Sequence, residues 1–189
     1  GGWLGAYGDA GGSVVNGMDM KGEGGPALFD YKNSRPNSYK PGSVLFMWDF
    51  TNFNPSRVPK DSPSGPFAYA GTGLQIAPRP GYYDCRDFSG VSVWIYGREA
   101  LPEIGKDAVG NMIRIQLNDF NDFKGPKQEG VEYWGYTVYV RPGWNHFVVP
   151  FTKFKIPAWA TANNGRANEV LDLDKIQAVE FIALTSDLK

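Results

Sequence analysis

Glycine, proline and aromatic residues are abundant in this sequence, and they favour short strands over long helices. The 189 residues include 24 glycines and 14 prolines, and 15% are aromatic. Glycine and proline interrupt helices and occupy turns, whereas aromatic side chains suit a pleated sheet. Alternating apolar segments recur at spacings of roughly 8–20 residues. The sequence therefore predicts an all-β fold, an antiparallel jelly-roll β-sandwich that forms a single domain over residues 1–189.

The predicted strands follow the alternation of apolar and polar residues. They are 12–15, 27–29, 44–50, 67–76, 91–96, 112–117, 133–140, 145–150 and 178–184. Between them, long loops are predicted over 51–66 and over the Asn- and Asp-rich segment 118–130. A single short helical turn is predicted within 171–176.

Charge and composition exclude several classes of function. The 19 basic and 20 acidic residues nearly balance, so the net charge does not favour binding to nucleic acid or to an anionic membrane. Apolar segments are too short for membrane insertion. Cys85 and His146 are single residues of their type, so an intrachain disulfide and a multi-histidine zinc site are excluded. We interpret Cys85 as a half-buried structural residue and His146 as an edge-strand or surface histidine.

Four carboxylates are candidates for acid–base chemistry on a glycan, namely Asp119, Asp122, Glu129 and Glu132. The first two lie in the polar segment 118–130, where clustered Asp and Asn residues favour a solvated loop. An oxygen-ligand calcium site is the second interpretation of this segment, and a catalytic pair is the third.

Tyrosines on one side of two predicted strands suggest a sugar-binding surface. Strand alternation places Tyr133 opposite the core residues of its strand and Tyr69 opposite Leu74 and Ile76. A tyrosine combines a flat apolar ring with a hydroxyl, which suits a sugar ring. Arg114 and Gln116 are predicted to point outward and to hydrogen-bond sugar hydroxyls. The alternative is that these tyrosines only complete packing beneath the long loops.

Several motifs resemble those of the family 11 carbohydrate-binding modules. They are AYAGTG (68–73), the strand entry at 83–91, YWGYTV (133–138), Gly143-Trp144, VPFTKF (149–154) and LDLDKIQAVEF (171–181). The resemblance covers about residues 1–184 and is strongest over 133–182. It implies a non-catalytic, galactose-binding-domain-like jelly roll with a concave cleft for single β-1,4 or mixed β-1,3/1,4 glucan chains. It also implies attachment to secreted glucanases, hence a secreted or cell-surface location, and in many members a structural calcium ion.

The resemblance assigns cleft positions residue by residue. Tyr7, Tyr69, Tyr133 and, approximately, Trp159 match the family's aromatic cleft positions. Gln177 stands where the family has an aspartate, and we expect it to hydrogen-bond sugar hydroxyls together with Arg114 and Gln116. Ala183 stands where the family has a cleft tyrosine, and the polar residues of the loop before Trp159 are not kept.

The family's first and last strands have no counterpart in the sequence. We therefore expect that the chain is a fragment of a longer polypeptide or that a protein partner completes the sheet edge. A second function follows from this, namely a structural or assembly subunit of an extracellular complex that has lost sugar binding. An open face around Tyr69 and Tyr133 would favour binding, whereas a face plugged by 51–66 would favour assembly.

Overall fold

The computed structural model defines the parts of the chain on which the architecture rests. It describes residues 4–9, 11, 14–15, 18–19, 24–26, 28–30, 32, 34–38, 42–50, 52–60, 67–77, 81–97, 112–120, 131–157 and 169–184. No helix in these parts of the chain is long enough and apolar enough to cross a membrane.

Strands make up most of the described structure. They are β1 (Leu4–Gly8), β2 (Val14–Val15), β3 (Met18–Asp19), β4 (Gly24–Pro26), β5 (Leu28–Asp30), β6 (Ser43–Leu45), β7 (Trp48–Asp49), β8 (Tyr69–Gln75), β9 (Gly90–Gly97), β10 (Met112–Phe120), β11 (Val131–Tyr139), β12 (Gly143–Pro150) and β13 (Ile176–Leu184). Two single 3₁₀ turns, Pro55–Arg57 and Phe151–Lys153, lie between them.

The strands form one large sheet and three smaller ones. The large sheet has six strands in the order β11-β10-β13-β8-β1-β4. A two-stranded sheet, β12-β9, packs against it, and β3-β2-β7 and β5-β6 form the two remaining sheets. Neighbouring strands within every sheet run antiparallel. The predicted antiparallel jelly-roll β-sandwich is confirmed.

The core lies between the large sheet and the β12-β9 pair. Ile113, Ile115 and Leu117 are buried on one face of β10, as their alternation predicts. They pack against the inward residues of β9 and β12, which are Val91, Val93, Ile95, Phe147 and Val149. On β11, Trp134 and Val138 join this cluster, but Tyr136 stays 37% exposed although its alternation assigned it to the core.

The outward residues of β9 and β12 pair with each other across the strands. His146 stacks on Trp94 with ring centroids 4.4 Å apart and 5° between the planes. Its Nε2 also lies 2.9 Å from the hydroxyl oxygen of Ser92. His146 is exposed and Cys85 is half-buried, so both interpretations from the sequence are confirmed.

Three local predictions differ from the structure. β1 is a strand although its sequence, LGAYG, is rich in glycine, because it gains backbone partners on both sides from β8 and β4. β10 continues through Asn118, Asp119 and Phe120, opposite β11, where the sequence predicts a loop. The predicted helical turn is a single hydrogen-bonded turn from Asp172 to Lys175.

Candidate functional site

Side chains from five strands meet on the outer face of the large sheet, which is the face opposite the hydrophobic core. In the strand register, Tyr7 lies opposite Gly71, Gly73 opposite Glu180, and Glu180 opposite Gln116. The other outer-face residues that concern the site are Tyr69, Arg114, Asn118, Tyr133 and Gly135. Residues far apart in the sequence are thereby brought together on one face of the sheet, in adjacent rows.

A hydrogen-bonded network crosses the middle of this face. The hydroxyl of Tyr7 donates to Glu180 Oε2 at 3.0 Å. Gln116 Nε2 donates to the same oxygen at 2.7 Å and to Asn118 Oδ1 at 3.2 Å. Bonds to a carboxylate are stronger than neutral ones, so Glu180 fixes both the phenol and the amide.

The ring of Tyr7 lies directly over the backbone of β8. A Cβ atom at Gly71 would overlap Cζ of this ring, so only glycine leaves it room. The ring centroid of Tyr69 is 6.3 Å from that of Tyr7, at an interplanar angle of 54°. Burial, and next the Glu180 charge, raise the pKa of Tyr7 well above its usual value, with smaller effects from Tyr133 and Tyr69. Tyr7 and Tyr69 are therefore neighbours, and Tyr133 lies on the same face of the sheet, on β11.

Arg114 and Gln116 lie on the predicted face, but both are buried in it and are not exposed at its rim. Their exposed fractions are only 8% and 2%. The aliphatic part of Arg114 packs over Gly135, where a Cβ would come within 2.8 Å of Cδ. Gln116 is held by Glu180 and Asn118. Alternation gives the side of the sheet that a residue occupies, whereas its depth depends on the neighbouring strands.

Solved structures of similar architecture identify the fold. The chain superposes on the family 11 carbohydrate-binding module of the cellulosomal cellulase Lic26A-Cel5E of Clostridium thermocellum with a TM-score of 0.54 and 17% identity, covering 95% of this chain and 77% of that one. The fold is that of the family 11 carbohydrate-binding modules. A family 11 module from Clostridium thermocellum in complex with a β-1,3-1,4-mixed-linked tetrasaccharide gives a TM-score of 0.52 at 16% identity, covering 95% and 78% of the two chains.

No protein-family model matches the chain, and no curated protein sequence matches it. The likeness to the family 11 modules therefore lies in the arrangement of strands.

Of the two remaining predicted site residues, the structure describes only Gln177. Gln177 is the extra residue of a bulge, because Asn118 pairs with Ala178 and Asp119 pairs with Ile176. Its carbonyl accepts a hydrogen bond from the Ile76 amide, and the residue is buried. Trp159, the fourth predicted aromatic residue, lies outside the described residues.

Glu180 and Asn118 are outer-face residues that the sequence reasoning did not single out. Glu180 is a charged residue in an otherwise apolar stretch from Ala178 to Leu184. A charge in a predicted core strand was the available signal, because buried charges are rare unless they are hydrogen-bonded.

Part of the loop 51–66 docks beside Tyr69. Asn54 N donates to the carbonyl of Gly11, and the ring of Phe53 packs against Gly11. The buried carboxylate of Asp9 accepts hydrogen bonds from the amides of Gly11 and Tyr69, at 2.6 Å and 2.9 Å. Tyr69 and Tyr133 are each half-buried. Within 52–60, these contacts are made by Phe53 and Asn54 with Gly11, which lies next to the Asp9 carboxylate that accepts from the Tyr69 amide.

Asp119 is fully buried, so its assignment to a solvated loop is wrong. It lies in β10 opposite Glu132, and its Oδ2 accepts a hydrogen bond from the Asp172 amide at 2.8 Å. Burial is the main cause that raises the pKa of Asp119 to about 7, and the charges of Glu132 and Asp172 add to it. Asp122 and Glu129, the other two candidates, lie outside the described residues.

The described residues do not supply a full ligand set for the expected calcium ion. Among them, no three His, Cys, Asp or Glu side chains are grouped so that they could hold a metal ion. Asp119 Oδ1 is buried without a hydrogen-bond partner, but a single oxygen falls short of the six to eight that calcium requires.

Proposed function

We propose that the protein is a non-catalytic carbohydrate-binding module that binds a β-1,4 or mixed-linkage glucan chain across the outer face. The observation that carries the proposal is the location of Tyr7, Tyr69 and Tyr133 on one face of a sheet whose fold matches that of carbohydrate-binding modules. A similar module in complex with a mixed-linked tetrasaccharide supports this ligand class. A secreted or cell-surface location belongs to the same proposal.

The tyrosine rings would supply part of the binding energy. Each ring stacked on a sugar face contributes on the order of 1 kcal/mol. Three such contacts, together with hydrogen bonds to sugar hydroxyls and after subtraction of the entropy lost on association, are expected to give weak binding with a Kd of roughly 10–100 μM. Arg114, Gln116 and Asn118 would act from beneath the surface by holding the face in shape.

Calorimetry and affinity electrophoresis test the proposal. The panel is barley mixed-linkage β-glucan, cellohexaose, xylan and mannan, each with and without EDTA. We expect binding to a glucan that Tyr69→Ala and Tyr133→Ala each weaken about fivefold or more. Tyr96→Ala is the matched control, because Tyr96 is 48% exposed on β9, in the other sheet.

The outcome separates the two functions that the sequence suggests. Loss of binding in the two outer-face variants, but not in Tyr96→Ala, places the glucan on the outer face. A folded protein that binds none of the four polysaccharides contradicts the proposal. The structural or assembly role would then be the better account, with a protein partner at the sheet edge as the next target of search.

A further inference from the structure

The backbone of Tyr69 is bound to Asp9 through both of its polar groups. The Tyr69 amide donates a hydrogen bond to Asp9 Oδ2 at 2.9 Å, and the Tyr69 carbonyl accepts one from the Asp9 amide at 3.2 Å. Asp9 is only 1% exposed, so its carboxylate is shielded from bulk water. A hydrogen bond to a carboxylate is stronger than one between neutral groups. Asp9 therefore holds Tyr69 by a side-chain bond as well as by a backbone bond.

These contacts lie where the regular pairing of β8 with its neighbours ends. Gly8 and Ala70 are the last paired residues of β1 and β8, and Tyr69 is the first residue of β8. On its other side, Tyr69 pairs with Leu184, the last residue of β13. Strand ends open more easily than strand centres. The ring of Tyr69 lies beside that of Tyr7, so a movement of this strand end would displace one ring relative to the other.

The second oxygen of Asp9 fixes the carboxylate itself. Asp9 Oδ1 accepts a hydrogen bond from the Gly11 amide at 2.6 Å. The Gly11 carbonyl accepts in turn from the Asn54 amide at 2.8 Å, and the ring of Phe53 packs against Gly11. Because both carboxylate oxygens are bound, the group cannot rotate without the loss of a hydrogen bond. Oδ2 is thereby kept directed at the Tyr69 amide.

We infer that Asp9 is a positioning residue of the proposed sugar-binding face, and that it holds the Tyr69 ring where it stacks on the ligand. The inference rests on the proposed function and adds to it a residue that lies beneath the face. Because Asp9 acts through Tyr69, its loss should weaken binding only when that ring is present. A residue that merely supports the fold would instead lower stability, and it would affect binding equally with and without the ring.

A double-mutant cycle on glucan affinity tests this dependence. Asp9→Asn keeps the size of the side chain but replaces one acceptor oxygen by a donor, so one of the two bound amides loses its partner. We expect this variant to bind barley mixed-linkage β-glucan about fivefold more weakly than wild type in affinity electrophoresis. In the Tyr69→Ala background, the same substitution should change the affinity by about twofold or less.

Thr72→Val is the matched control for a general loss of stability. Thr72 is a buried residue of β8 on the side opposite the outer face, and its hydroxyl donates to the Gly5 carbonyl of β1 at 2.9 Å. The substitution therefore also removes a buried hydrogen bond between β1 and β8. It should lower the free energy of unfolding, measured with urea, and leave the glucan affinity within about twofold of wild type.

Gly11→Ala is the second variant if Asp9→Asn fails to fold. Its Cβ would lie 3.0 Å from Asp9 Oδ1 and would overlap the Phe53 ring, so it shifts the carboxylate without removing the charge. It should weaken binding only when Tyr69 is present. Wild-type affinity in the folded variant, equal weakening with and without the Tyr69 ring, or a loss in Thr72→Val of the same size overturns the inference. Wild-type protein that does not bind the glucan instead contradicts the proposed function itself.

Discussion

At the scale of single residues, Gly71 sets the position of Tyr7 in the proposed site. We predict that Gly71→Ala weakens glucan binding about fivefold to tenfold, because the new Cβ displaces the Tyr7 ring that now covers this backbone. Calorimetry measures the loss. Gly73→Ala is the control, since its Cβ would contact only the flexible side chain of Glu180, whose Cγ is nearest at 3.1 Å. Equal effects of the two substitutions would contradict the argument.

Asp119 provides a second prediction at this scale, on the pH dependence of stability. Its folded-state pKa, about 7, lies above the unfolded value near 3.9, so the folded protein holds a proton that the unfolded chain releases. Stability is therefore expected to fall as pH rises from about 4 to 7, by an amount on the order of a few kcal/mol at most. Asp119→Asn should flatten this slope while still accepting from the Asp172 amide.

Urea unfolding at pH 4, 6 and 8 measures this slope. Parallel profiles for wild type and Asp119→Asn would show that the buried carboxylate does not titrate in this range. Calcium is a separate arm of the experiment. A rise in wild-type stability at pH 8 on addition of calcium, absent in Asp119→Asn, would show that the carboxylate binds a cation instead of a proton.

At the scale of elements, the β9-β12 pair depends on a close backbone approach at one end of β9. A Cβ at Gly90 would overlap the carbonyl oxygen of Val149, and a backbone oxygen cannot swing aside as a side chain can. We predict that Gly90→Ala costs about 1–3 kcal/mol of unfolding free energy. Ser92→Ala, on the exposed face of the same strand, should change it by about 0.5 kcal/mol or less. Thermal denaturation measures both variants, and equal losses of stability in Gly90→Ala and Ser92→Ala would refute this prediction.

The strands that could be predicted from the sequence are those whose own residues alternate. β10 and β11 carry apolar residues at alternate positions, and this alternation predicts their core residues with the exception of Tyr136. β1 could not be predicted in this way, because Gly5 and Gly8 have low strand preference and its pairing with β8 and β4 is decided by residues far along the chain. The predicted strand over 44–50 is two short strands, since β6 and β7 pair with different partners.

At the scale of the whole molecule, ligand binding and global stability are linked. A 1 mM mixed-linked tetrasaccharide, bound with a Kd of roughly 10–100 μM, should raise Tm by about 3–10 °C. Differential scanning calorimetry measures the shift, and the double variant Tyr69→Ala, Tyr133→Ala should show almost none. An unchanged wild-type Tm at this concentration would mean that the native state does not bind the oligosaccharide at the proposed affinity.

The sequence identified the side of the sheet on which the candidate site lies better than the role of each residue there. Tyr69 and Tyr133 could be placed because alternation decides the face of a strand. The burial of Arg114 and Gln116 could not be predicted, because it depends on β11 and β13, which flank them. The network centred on Glu180 was missed for the same reason, since it joins strands separated by 173 residues at its widest contact.

The Tyr7 ring can lie over β8 because Gly71 has no side chain, and this has an evolutionary consequence. Any substitution of this glycine adds atoms, so random drift at the position can only displace the ring. A descendant would weaken the proposed sugar-binding face by one base change yet keep a folded sandwich, because the core lies on the opposite side of the sheet. Restoring the position of the ring requires the one residue that has no Cβ. In such a lineage, descendants without a ligand should arise readily and regain it rarely.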